Sequence, residues 1–93
     1  MLTPFGKLVR RHRIEQKMLL YHMATALKLS SSYLSDIELG RREIPDGDFL
    51  PKVAKTLNLS TEDMGVLYMA AAMSGGSTLM KWAVKKLKEK ANG

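Results

Sequence analysis

Three consecutive serines, Ser30, Ser31 and Ser32, stand just ahead of Asp36 and Glu38, with His12 and His22 upstream. These groups could in principle carry catalysis. A nucleophilic serine, however, needs a base held in place by a third group. The serines here have a plainer reading, with Ser30 as a helix cap and its neighbours on an exposed helix face. The two histidines are too few and too far apart for a metal cage, and with no cysteine there is neither a disulfide nor a thiolate site. Gly75 and Gly76 read as a hinge, not as a phosphate-cradling loop. The sequence therefore predicts no enzyme, no cofactor and no metal ion.

What remains is hydrogen bonding and charge. The 93 residues carry a net charge of +6, unevenly spread. Residues 1–43 hold eight Lys/Arg against four acids, residues 44–74 two against four, and residues 75–93 five against one. A basic surface on a small domain suits polyanions, because each neutralised phosphate releases counterions. A solvated basic surface with no partner is the other reading of charge alone. A hydrophobic content of 45% is enough for one modest helical core. No stretch of roughly 18 apolar residues suggests a membrane span, and the start MLTPFGKLVRRHR does not resemble a signal peptide. The expectation is a cytoplasmic protein with no membrane role.

Hydropathy spacing and turn residues predict an all-α chain. Thr3 and Pro4 read as a cap and first residue of a helix reaching about Gln16, with Phe5, Leu8 and Val9 inward and His12 at the same helical spacing. Its other face carries Lys7, Arg10, Arg11 and Arg13, either solvated or turned to phosphate. A second helix over residues 20–28 has Met23, Ala24 and Leu27 inside. Ser30 starts a third over residues 31–39, with Leu34 and Ile37 inward, Ser31, Ser32, Ser35 and Asp36 outward, and Gly40 as its stop. Phe49, Leu50, Val53, Ala54 and Leu57 mark a fourth. Met64, Leu67, Tyr68, Ala71 and Ala72 mark a fifth, capped by Ser60. Residues 1–74 form the predicted domain. Residues 75–93 form a hinge and a basic amphipathic helix, whose stripe of Met80, Val84, Leu87 and Ala91 lies among five lysines.

Two helices joined at Lys28, Leu29 and Ser30, with small Ala24 at their crossing, have helix-turn-helix spacing. Residues 19–45, LLYHMATALKLSSSYLSDIELGRREIP, resemble the xenobiotic-response-element family of lambda-repressor-like (Cro-type) regulators. The likeness extends over about residues 3–70. It rests on Met23-Ala24 in the second helix and on Ser-x-x-Tyr-Leu-Ser-x-Ile-Glu-x-Gly-Arg-Arg from Ser30 to Arg42. The resemblance implies a five-helix lambda-repressor-like DNA-binding domain, extended here by the C-terminal helix. It implies that Ser31, Ser32 and Asp36 reach base edges in a major groove, with Asp36 able to accept from cytosine N4. Arg41, Arg42, Leu20, Tyr33 and Ser35 would meet phosphates; Tyr33 could also touch a thymine methyl or simply pack. Arg13 and Glu38 match a structural ion pair, and Ser30 a cap.

The chain departs from the family at three points. Leu20 stands where the family usually has a phosphate-touching Gln, leaving backbone N–H groups for that contact. Lys28 stands where the turn usually has a left-handed Gly. The third helix lacks an Arg, Gln or Asn for bidentate base contacts, which shifts specificity toward shape and the loop arginines.

The resemblance implies double-stranded DNA as partner. The expected function is a repressor, homodimeric on a palindromic operator, controlling a short operon of a phage or other mobile element. Two rivals remain. One is an antitoxin that holds a protein partner through the C-terminal helix, a helix that could equally pair with its twin or fold back on the domain. The other is a helical interaction module without DNA binding.

Overall fold

The described residues fold as five α-helices: α1 Pro4–Glu15, α2 Leu20–Ala26, α3 Ser31–Glu38, α4 Phe49–Thr56 and α5 Thr61–Met73. The computed structural model describes residues 2–45 and 47–74. Among them there is no strand. The expected hinge and basic helix within residues 75–93 lie outside the described residues.

Hydroxyl side chains start three of the helices. Gly6 N–H donates to Thr3 Oγ1 at 3.0 Å, with Pro4 in the first turn where its missing N–H costs nothing. Tyr33 N–H and Asp63 N–H donate in the same way to Ser30 Oγ and Ser60 Oγ, each at 3.1 Å. Glu62 and Asp63 in the first turn of α5 add favourable charge against its dipole.

Four helices end alike, and the ends explain why α1, α2 and α3 stop one or two residues before the hydropathy pattern does. After each, one residue turns left-handed: Lys17 at φ 55°, Lys28 at 60°, Gly40 at 76° and Asn58 at 53°. The next N–H reaches back to a carbonyl of the last turn, as in Leu29 N–H to Ala24 O at 2.8 Å and Arg41 N–H to Asp36 O at 2.8 Å. In three of these turns the residue that follows is apolar, and Met18, Leu29 and Leu59 pack against the core. In the fourth it is Arg41, whose side chain is 72% exposed. The chain after α3 is thus free of the hydrophobic anchor that closes the other ends.

A side chain in the left-handed region costs about 1–2 kcal/mol for its Cβ contact, a cost that asparagine reduces by local hydrogen bonding. Lys28→Gly is therefore expected to stabilise the domain by about 0.5–1 kcal/mol after the glycine's larger entropy of unfolding is counted. Asn58→Gly should change little. Urea unfolding of the two variants beside the wild type measures both, and a loss at Lys28 would mean that its side chain stabilises the turn.

The core is built from one face of each helix. Phe5, Val9, Met23, Leu34, Ile37, Leu50, Val53, Leu57 and Leu67 are fully buried, and Phe5 meets Phe49 with ring centroids 6.3 Å apart. α1 packs on α5 and α3, α2 on α3, and α4 on α5. Ser74 fastens the end of α5 to the start of α1: its hydroxyl accepts from Phe5 N–H at 3.0 Å and donates to Ala70 O at 2.7 Å. Gln16 Nε2 donates to Leu57 O at 2.5 Å, tying the other end of α1 to α4. Beyond its first turn α5 is apolar on every side. Leu67, Ala70, Ala71 and Ala72 are buried, while Val66, Met69 and Met73 face outward.

Candidate nucleic-acid interface

The turn between α2 and α3 is four residues long, and Ala24, buried to 1% exposure, lets the two helices meet. α3 then sinks Leu34, Ile37 and Glu38 into the domain and leaves Ser31, Ser32, Ser35 and Asp36 on its outer side, Ser32 exposed and the others half-buried. Leu20, Ser31, Ser32, Ser35, Asp36 and Arg41 line one shallow concavity of about 360 Å³. Six of the eight residues expected at DNA are therefore brought together. The other two sit beside it, the Arg42 guanidinium lying 4.9 Å from the centre of the Tyr33 ring. Leu20 packs its side chain against the core, so what it offers a phosphate is backbone alone.

Asp36 sits at the junction of α3 and the arginine loop. Arg41 Nη1 lies 3.9 Å from its Oδ1 and Arg42 Nε 4.0 Å from its Oδ2. Its backbone carbonyl accepts from both arginine N–H groups, at 2.8 and 3.3 Å. Sequence reasoning placed these residues near one another but missed both the doubled contact and the stacking on Tyr33. The spacing of Tyr33 and Asp36 from the two arginines is the only sequence signal for either.

Beneath this surface α3 is held to α1 by its last residue. Arg13 Nη2 lies 3.5 Å from Glu38 Oε1, and both side chains are nearly inaccessible to water. Arg13 is therefore not part of the basic outer face of α1, which consists of the exposed Lys7, Arg10 and Arg11. The backbone N–H and hydroxyl of Thr3 both donate to the Glu38 carbonyl, each at 3.2 Å. Burial pushes the Glu38 carboxyl above the ordinary value of 4.5, and the charges of Arg13 and Arg10 and the Arg13 hydrogen bond pull it back only in part. The pair meets through a single contact. Among the described residues, Arg13 Nε and Glu38 Oε2 are buried without a hydrogen-bond partner.

Gly6, which sequence reasoning passed over, is where α1 touches the end of α3. A Cβ there would fall on the Glu38 carbonyl oxygen and within 2.8 Å of its carbonyl carbon. Thr3, Gly6, Arg13 and Glu38 together set the angle at which α3 is presented.

A short, serine-capped helix crossing a second over a small residue, presented outward beside a paired-arginine loop, defines a DNA-binding module of the helix-turn-helix class. Residues 9–64 match the family model described as Helix-turn-helix, and the chain belongs to this family, of the xenobiotic-response-element and lambda-repressor type. It is a DNA-binding transcriptional regulator, and the family's domain is a non-catalytic one. No curated protein and no solved structure gives a significant match. Among the described residues, no helix is long and apolar enough to cross a membrane.

Proposed function

We propose that the protein is a sequence-specific repressor that binds a palindromic operator as a homodimer and controls a short operon, its own included, on a phage or mobile element. Each subunit lays α3 in a major groove. Ser31, Ser32 and Asp36 face the base edges, and Arg41, Arg42, Tyr33, Ser35 and the backbone at Leu20 face phosphates. The observation that carries this reading is the gathering of these residues on one concave surface, with the positive charge of the loop at its edge.

The dimer surface in this reading is α5, whose Val66, Met69 and Met73 recur at i, i+3 and i+7 and stand 50%, 46% and 66% exposed. A second copy packed there would set two recognition helices for half-sites roughly 34 Å apart on one DNA face. A chain ended after Ser74 is expected to remain dimeric in sedimentation. A monomer would move the interface to residues 75–93.

Mobility shift of the full chain on its own upstream DNA, across a salt series, tests the function. The wild type should bind selectively. Arg41→Ala/Arg42→Ala should weaken binding to all sequences and flatten the slope of log K against log salt by roughly 1–2, since each lost phosphate contact removes about 0.9. A folded dimer that binds without selectivity or salt dependence would instead support a protein partner.

A further inference from the structure

A carboxylate in the middle of a phosphate-binding surface is at first sight a defect, because DNA repels it. Three observations give it a role. Its two oxygens face two different guanidiniums, Oδ1 toward Arg41 and Oδ2 toward Arg42. Both arginines are anchored at their backbone to the Asp36 carbonyl, which keeps the two guanidiniums within reach of the carboxylate. Arg42 is also laid on the Tyr33 ring, which is in the same turn of α3. The arginine side chains are 72% and 58% exposed, and exposed pairs of this kind contribute little to folding. Their consequence is therefore to be sought in binding. Both positive charges of the loop are engaged by one negative charge on the recognition helix.

We propose that Asp36 is a positioning and specificity-determining residue: in the free protein it holds Arg41 and Arg42 and weakens their grip on random phosphate. It releases them where the exocyclic amino group of a cytosine takes their place on the carboxylate. This rests on the interface described under the proposed function. At a random site a phosphate must compete with Asp36 for each guanidinium, and the carboxylate is left facing acceptors. At a matching site the cytosine N4 amino group donates to Asp36, and both arginines are free to reach phosphates. Phosphate affinity and base reading are thereby coupled through one side chain. The energetic effect is a lowering of non-specific binding, which raises the ratio of specific to random affinity.

The test uses the full chain and a random-sequence duplex of about 24 base pairs, the length of two half-sites one turn apart with flanks. Binding is followed by fluorescence anisotropy from low to moderate salt. Asp36→Asn is expected to bind this duplex roughly five- to tenfold more tightly, with a salt slope steeper by about 1–2, the signature of one or both released arginines reaching phosphate. Asp36→Glu, which keeps the charge, should stay near the wild type. In the Arg41→Ala/Arg42→Ala background, Asp36→Asn should change affinity by less than about twofold, because the arginines it would release are gone. An equal gain in both backgrounds would overturn the proposal, since it would show simple charge repulsion with no holding of the arginines; so would no gain in either. A folded wild type with no salt-dependent duplex binding is a separate result, because it removes the interface itself and not only the role of Asp36 within it.

Discussion

Gly6→Ala is expected to lower the melting temperature by more than about 10 °C, because its Cβ has the closest clash among the described glycines. The added Cβ meets the backbone carbonyl of Glu38, not a side chain that could swing aside. Relief would require α1 and α3 to separate, which would also pull on the Thr3 hydrogen bonds to the same carbonyl and lengthen the Arg13–Glu38 contact. Overpacking of this sort costs about 1–3 kcal/mol and more where backbone must move, and in a domain of this size each kcal/mol is worth about 4–8 °C. Gly65 is the control. It too lies inside a helix, but a Cβ there meets nothing within 4 Å, so Gly65→Ala should raise stability by about 0.5–1 kcal/mol through helix propensity alone. Thermal melts of the two variants should therefore shift in opposite directions. A mild effect at Gly6 would mean that the α1–α3 contact is loose enough to adjust, and that α3 is not held at a fixed angle.

The contrast between these two glycines shows what was legible in the sequence. Helices were readable because each carries its own cap, stop and apolar spacing within a few residues, as with Ser30, Gly40, Leu34 and Ile37. The gathering of the candidate residues was readable for a similar reason: they fall within a run of about twenty-five, and the turn between α2 and α3 brings them together. What was hidden depends on partners distant in sequence. Nothing near Gly6 indicates that Glu38 will press on it, and Ser74 gives no sign that it will accept a hydrogen bond from Phe5, 69 residues away. α5 was hard to read for another reason. Its spacing marks Met64, Leu67, Tyr68, Ala71 and Ala72, but apolar residues continue beyond that stripe, and only packing separates the buried Ala70 from the exposed Met69. At the interface the gap was smaller but consequential. Arg42 could be placed near Tyr33, yet its stacking arises from the left-handed turn at Gly40 and the loop that follows.

Arg13→Ala should be the most damaging loss of a charge, at roughly 3–5 kcal/mol near neutral pH, because it leaves a buried carboxylate without its partner. Its pH dependence separates this cause from others. Glu38 already titrates above its unfolded value of 4.5, so its contribution to stability is fully present below that value and is lost as pH rises through the folded one. Arg13 limits that rise by favouring the charged form. Without it the folded value moves further up, and the penalty accumulates at up to about 1.4 kcal/mol per pH unit between the two values. The stability gap between Arg13→Ala and the wild type should therefore be narrow near pH 4.5 and widen toward pH 7. Glu38→Gln, which removes the charge and keeps the shape, should rescue much of the loss when added to Arg13→Ala at pH 7 and little of it at pH 4.5. Urea unfolding of the single and double variants at both pH values measures all four quantities. A gap independent of pH would show that Arg13 stabilises through the packing of its aliphatic stem against α3 and not through its charge. The recognition helix would then be held by shape, and the buried ion pair would be incidental to it.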